Sequence, residues 1–136
     1  MDITLGVLAD YASVSQDGKL NIMGIFGEIN PPMLPFGIPM MYLILSFEAS
    51  PSEYDTDKAI KVTLLDSEGK AIMGMEQSMR VQPARRPGSR SVLNAVVGLA
   101  GIKFEHAGDY AFSVLVGGEE KKSIMLHVNE PVRRIP

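Results

Sequence analysis

Residues 108–128 have the sequence GDYAFSVLVGGEEKKSIMLHV. Apolar side chains occupy every second position on both sides of the Gly117–Glu120 segment. Alternation with a period of two is typical of a strand that buries one face, and a Gly-Gly step between two such runs is typical of a hairpin turn. The stretch therefore predicts two antiparallel strands. Their core-facing residues are Tyr110, Phe112, Val114 and Val116, followed by Ile124, Leu126 and Val128.

The same pattern recurs along the rest of the chain. Asp17-Gly18 and Glu68-Gly69 mark tight turns between apolar runs, and no long segment shows the period of an amphipathic helix. Because strands that bury one face each must pack as two layers, we predict an immunoglobulin-like antiparallel β-sandwich of about seven or eight strands, with a closed β-barrel as the alternative. The other predicted strands are Ile3–Tyr11, Leu20–Ile29, Met41–Glu48, Ile60–Leu64, Lys70–Arg80 and Val92–Ile102.

The start of the predicted strand that contains Tyr110 holds a further structural signal. Gly108-Asp109-Tyr110 lies at the start of a strand, where sandwiches of this kind often have a tyrosine whose hydroxyl bonds to backbone just upstream. We expect Tyr110 to form such a tyrosine corner. Phe112 stands where an antibody domain would have its cysteine, so the chain is not an antibody-type domain.

Length and composition limit the class of protein. The chain has 136 residues, 46% of them hydrophobic, which is enough for one domain with its own core. We predict a single domain over residues 1–130 and a frayed tail over residues 131–136. The sequence has no cysteine, which excludes a disulfide framework and fits a cytoplasmic protein, and its N-terminus shows no signal-peptide pattern.

Charge and hydropathy argue against two kinds of partner. With 13 basic and 16 acidic side chains, the chain is not expected to bind nucleic acid. Residues 29–47 carry no charge over 19 positions, about the length of a membrane span, but four prolines oppose a helix there. We therefore expect an apolar loop that leads into a buried strand, and no membrane contact.

Several turn motifs occur together in this chain: LADYA at 8–12, DGKLNIMG at 17–24, LLDSEGK at 64–70 and GDY at 108–110, with a Pro-Pro step before an apolar strand. In this combination the sequence resembles a family of small, uncharacterised bacterial β-sandwich proteins known only as a domain of unknown function. The resemblance implies the fold and a bacterial cytosolic setting, and it implies no activity and no catalytic residues. The arginine-rich loop at 82–90 departs from the family pattern.

The residues that carry chemistry are sparse. Nucleophilic catalysis needs a thiol or hydroxyl beside an oriented base, and the only histidines are His106, in a polar turn, and His127, on the outward face of a strand. We therefore predict no catalytic residue, no cofactor and no metal site. The acidic loop Glu53–Asp57 leaves calcium open, although it lacks the rest of an EF-hand pattern.

Two loops have the composition of recognition surfaces. The proline-rich loop Asn30–Pro39 contains more apolar side chains than a solvated connection favours, so it either caps the core or binds a partner. The loop Gln82–Ser91 concentrates arginine and is either a solvated turn or a contact for an acidic protein surface, a sugar phosphate or RNA. The candidate binding residues are Met33, Leu34, Phe36, Arg85, Arg86 and Arg90. Arg133 and Arg134 add two further basic side chains near the C-terminus.

The predicted function is therefore a non-catalytic binding or assembly module that acts through protein–protein contacts, with another protein or a second copy as partner. An exposed edge strand could serve the same purpose by pairing with a strand of another chain. The alternative is a carbohydrate- or small-ligand-binding sandwich, although the chain has no tryptophan and only four tyrosines to offer as stacking platforms. An enzyme or enzyme subunit is the third possibility.

Overall fold

A computed structural model describes residues 1–132. Its two sheets pack face to face and do not close into a barrel, so the predicted β-sandwich is confirmed and the barrel alternative is wrong. The first sheet has the order β2-β1-β4-β7 and the second β3-β9-β8-β5-β6. The strands are β1 (Asp2–Val14), β2 (Leu20–Phe26), β3 (Glu28–Ile29), β4 (Phe36–Ala49), β5 (Asp57–Leu65), β6 (Ala71–Arg80), β7 (Ser91–Phe104), β8 (Gly108–Val116) and β9 (Glu119–Val128), with a 3-10 turn at Pro51–Glu53.

The described part of the chain has nine strands, one more than the upper end of the prediction. The run Leu20–Ile29 is divided at Gly27, after which β3 leaves the first sheet and pairs in parallel with β9 of the second. A period-two pattern continues through such a crossing because both segments are extended. The sequence therefore predicts one strand where the structure has two.

β4 begins earlier than predicted. Phe36 and Ile38 lie opposite Phe104 and Ile102 of β7, so the last four residues of the predicted Asn30–Pro39 loop are strand. The ladder skips Pro39, which has no backbone N–H to donate.

The core lies between the two sheets and consists of the alternating residues that the sequence predicts. Phe47, Phe104 and Phe112 are its largest fully buried side chains. The other fully buried large side chains include Leu8, Met41, Leu43, Leu45, Leu64, Val114 and Leu126. The hydrophobic pattern therefore identifies the buried face of most strands. β1 is the exception: its register shifts between Ile3 and Leu5, and Leu8 lies in the main core whereas Ala9 lies in the outer cluster.

A second, smaller apolar cluster lies on the outer face of the first sheet. Ala9, Ala12 and Ile44 are buried there, with Leu20 and Ile22 packed against them. β1 pairs with β4 only as far as Ala9, and beyond that point it pairs with β2 alone.

The part of the β1–β2 hairpin beyond residue 10, here the distal hairpin (residues 11–23), folds back over that outer face. The Asn94 side-chain amide of β7 donates a hydrogen bond to the Gly18 carbonyl in the hairpin turn, at 3.2 Å. At the bend the ladder skips the Asp10–Gly24 pair, and Gly24 has a φ of 73°. A Cβ at Gly24 would lie 2.5 Å from Oδ2 of Asp10, so this position requires glycine.

The tyrosine corner is confirmed. The Tyr110 hydroxyl donates to the His106 carbonyl at 2.6 Å, and the Tyr110 ring packs edge-on against Phe104 with 4.9 Å between ring centroids. Burial of the phenol raises the pKa of Tyr110 above its ordinary value. The corner fixes the short connection between β7 and β8.

Candidate functional site

The two loops predicted as recognition surfaces lie at opposite ends of the sandwich. Phe36 is paired with Phe104 at one end of the β4–β7 ladder, and Ala49 is paired with Ser91, next to the arginine-rich loop, at the other. The intervening stretch of β4 spans roughly 40 Å at about 3.3 Å per residue. The six candidate residues therefore do not form one site.

The proline-rich loop is partly a cap. Pro31 is buried, and Leu34 packs against the edge of the main core. Phe36 is half-buried and forms the first residue pair of the β4–β7 ladder, whereas Met33 has 66% of its surface exposed. Of the three predicted residues in this loop, Met33 is the one fully available to a partner.

The arginine-rich loop is divided in the same way. Arg90 binds carboxylates of the chain itself, with Nη2 at 2.8 Å from Asp2 and Nε at 3.7 Å from Glu48. Arg85 and Arg86 are exposed. Arg133 and Arg134 lie outside the described residues.

The titratable side chains form surface pairs. Nδ1 of His127 lies in contact with Oδ1 of Asp109 on the neighbouring strand, and both side chains are well exposed. His106 is exposed, and its backbone carbonyl is the acceptor for Tyr110. Residues 1–132 contain no group of three or more His, Cys, Asp or Glu placed to hold a metal ion.

The acidic loop Glu53–Asp57 directs its carboxylates to different partners. Glu53 binds the Met1 amine at 2.8 Å, the Ser50 backbone N–H at 3.0 Å and the Lys58 ammonium at 3.2 Å. These contacts, the amine first, lower the pKa of Glu53 to about 2. Asp57 pairs instead with Arg80 at 3.4 Å, so the two ends of the loop are held by cations of the chain.

A polar cleft opens at one end of the sandwich, beside the tyrosine corner. Its walls are the β5–β6 turn and the β7–β8 connection, and its charges are of both signs: Asp66, Glu68, Lys70, Lys103 and Glu105. Because these charges are mixed and surface-exposed, the cleft has no single electrostatic preference.

An apolar groove runs along the side of the sandwich between β6 and β7, each the last strand of its sheet in the described part of the chain. Met73, Met75 and Met79 of β6 form one wall, and Ala95, Val97 and Leu99 of β7 form much of the other. The polar side chains that also line the groove are Glu76, Gln77 and Lys103. Leu45, Phe47, Ile60 and Val62 form its floor. We call this side of the molecule, with the outward edge of β7, the open side.

Sequence reasoning did not identify the open side. Its signals were present: methionine at alternate positions in β6, and no charged residue from Ser91 to Ile102 in β7. The order of strands within each sheet is what turns these two segments into edges, and no local pattern contains that order.

The family model of a family of unknown function, DUF6941, matches residues 4–129, and the chain belongs to this family. No curated protein is significantly similar to it. A solved structure, Pseudomonas fluorescens alkylpurine DNA glycosylase AlkC bound to DNA containing an abasic site analog, is similar at 14% identity and a TM-score of 0.43. The match covers 76% of this chain and 27% of that one, and at this TM-score it supports no inference about function. No helix within residues 1–132 has the length and apolar character to cross a membrane.

Proposed function

We propose that this member of the DUF6941 family is a non-catalytic binding or assembly module that acts through protein–protein contacts, with the open side as its main contact surface. The observation that supports this most directly is the edge strand β7. It is 14 residues long and carries no charge over its first 12. A long, uncharged edge is the kind that pairs with another strand.

The backbone of β7 supplies the first half of the contact. Along an edge strand, N–H and C=O groups that point away from the sheet are free to bond to an added strand. Addition of an extended segment of another protein satisfies these groups, which is how many sheet-edge recognition modules obtain affinity.

The groove supplies the second half. Side chains of an added strand alternate between the two faces of the sheet, so every second one would point toward the groove between β6 and β7. Met73, Met75 and Met79 are flexible and polarizable and adapt to differently shaped apolar side chains. The partner segment is therefore extended and apolar at alternate positions.

Met33, Arg85 and Arg86 are exposed at the two ends of the sandwich. We propose that they contribute secondary contacts to a partner that extends beyond the open side. We also propose a cytoplasmic location, because the chain has no cysteine to stabilise it in an oxidising compartment.

Site-specific photocrosslinking in cells tests this function. A photoreactive side chain replaces Ala100, which is exposed on β7, and in a control it replaces Ser123, which is exposed on β9. We expect a covalent protein adduct from position 100 and little from position 123. Equal yields from the two positions, or none from either, would contradict the proposal.

A further inference from the structure

We propose that the strand that pairs with β7 is β7 of a second copy of this chain, antiparallel and related by a two-fold axis. This inference rests on the proposed function and names the partner. The resulting homodimer would join the two first sheets into one continuous sheet of eight strands, with β7 and its symmetry mate at the centre.

The charge pattern of β7 supports self-pairing. Residues 91–100 have the sequence SVLNAVVGLA, which has no ionisable side chain. An antiparallel pairing centred in this run places each residue opposite another uncharged one, so no like charges meet between the two β7 strands. Arg90 and Lys103 lie beyond the ends of the run, and Arg90 is held by Asp2 and Glu48 of its own chain.

The two-fold symmetry of the proposed dimer brings the β6–β7 groove of each copy into the same contact as the β7 edge. A two-fold axis perpendicular to the joined sheet keeps the inner faces of both β7 strands on the same side. The two grooves then meet at the axis, where Met73, Met75 and Met79 of each copy cover the apolar wall of the other. One contact therefore removes both the bare edge and the apolar groove of each subunit from water.

The size of the contact is sufficient for a specific dimer. Gly101, with a φ of 67°, is skipped in the β4–β7 ladder, and we take the pairing between copies to end before it. Ten paired residues span about 33 Å, and two sheet layers are about 20 Å high, which gives roughly 660 Å² per partner and ~1,300 Å² in total. That total falls within the lower part of the range for stable protein–protein interfaces.

Sedimentation of the purified chain across concentration gives the first test. We expect a reversible dimer. Ala100→Lys and Val92→Lys introduce a cation at exposed positions of β7, Val92 being 60% exposed, so both variants should fold normally and dissociate at least about tenfold more readily. Ser123→Lys, on the part of β9 that β3 does not cover, at the other side of the sandwich, should remain as dimeric as the unmodified chain.

Spin labels give a second test that depends on the direction of pairing. Since the chain has no cysteine, single cysteines at positions 92 and 100 can be labelled alone. Each single-cysteine variant gives one distance, between its label and the same label in the other copy. If the two-fold axis lies between positions 92 and 100, a shift in register lengthens one of these distances and shortens the other. Their sum stays near 54 Å, from about 3.4 Å per residue over 16 residues, whichever residue lies on the axis.

The outcomes separate the partner from the function. A chain that stays monomeric up to about 1 mM overturns the dimer. So does a dimer that Ser123→Lys dissociates while Ala100→Lys does not, or one whose label distances do not give the expected sum. If the dimer fails in any of these ways but position 100 still crosslinks to a different protein, the proposed function stands with another partner. If no adduct forms at position 100 either, both proposals fail.

Discussion

The two lateral sides of the sandwich differ in the charge of the strands that form their edges. On one side, which we call the closed side, the chain passes from β2 of the first sheet to β3 of the second. The free part of β9 on that side begins with Glu119-Glu120-Lys121-Lys122. On the open side, the chain passes from β6 to β7 through the end loop at residues 81–90, no strand of the described part of the chain pairs with the outer edge of either, and β7 has no charge from Ser91 to Ile102.

This difference indicates which edge the molecule protects. Charged side chains on an edge strand, lysine above all, oppose pairing with another chain because the pairing would desolvate them. β9 has that protection, and β7 does not. The closed side also holds an uncharged edge strand, β2, but β2 has 7 residues whereas β7 has 14. The basis of both proposals is therefore that β7 is both long and uncharged.

The largest expected effect comes from truncating a core side chain on the closed side. Leu126→Ala removes a fully buried side chain of β9 and should lower the free energy of unfolding by about 2–5 kcal/mol. Met75→Ala, in the half-buried wall of the groove, should cost only roughly 1 kcal/mol. Urea denaturation of the two variants measures the difference. Of the two variants, only Met75→Ala should also weaken the dimer. Equal destabilisation of the monomer by both variants would contradict the expected difference between the closed side and the open side.

The bend of the distal hairpin gives the next effect. Gly24→Ala places a Cβ against Asp10 at a position with positive φ, so we expect a loss of about 1–3 kcal/mol in thermal or urea unfolding. Gly18→Ala also has a positive φ, at 83°, but its Cβ would meet no atom within 4 Å. Gly18→Ala should therefore cost less. If it costs as much as Gly24→Ala, the close approach to Asp10 does not matter.

Removal of one hydroxyl tests the tyrosine corner with a smaller effect. Tyr110→Phe loses the hydrogen bond to the His106 carbonyl and should destabilise the chain by about 0.5–1.5 kcal/mol in denaturant unfolding. Tyr11→Phe is the matched control, because that ring is 50% exposed. It should change stability very little. Since neither hydroxyl lies on the open side, dimerisation should be the same in both variants.

Acid should affect the stability of the chain before it affects the open side. The pKa of Glu53 is lowered to about 2 by the Met1 amine, the Ser50 N–H and Lys58. Its contribution to stability is therefore complete above its ordinary pKa, near 4.5, and is lost as the pH falls toward 2. Glu53→Gln, or acetylation of the Met1 amine, should flatten this part of a stability–pH curve. β7 has no titratable group between 91 and 102, so its pairing should not follow the same curve.

Much of the fold was predictable because it depends on local patterns. The β8–β9 hairpin, the turn at Asp17-Gly18 and the tyrosine corner each follow from residues close together in sequence. The hairpin was predicted, but the packing of its distal part over the outer face of the first sheet was not. Tyr42 and Ile44 were a signal for it, since they are apolar on the outward face of β4 and indicate a covering layer. Only the tertiary structure shows that residues 11–23 supply that layer.

The candidate site was less predictable than the fold. Met33, Arg85 and Arg86 are exposed as expected, whereas Leu34 packs against the core and Arg90 binds its own chain's carboxylates. The composition of a loop predicts that it lies at the surface, but it does not predict which side chains turn inward. It also does not predict that the two loops lie at opposite ends of β4.

The sequence by itself determined the strands, their buried faces and most of their turns, because a period of two and a Gly-containing turn are local consequences of backbone geometry and side-chain burial. The tertiary structure alone decided which strands became edges. Strand order depends on contacts between distant segments, such as β3 with β9 and β4 with β7, and the same uncharged run in β7 would be an ordinary central strand if another strand covered it.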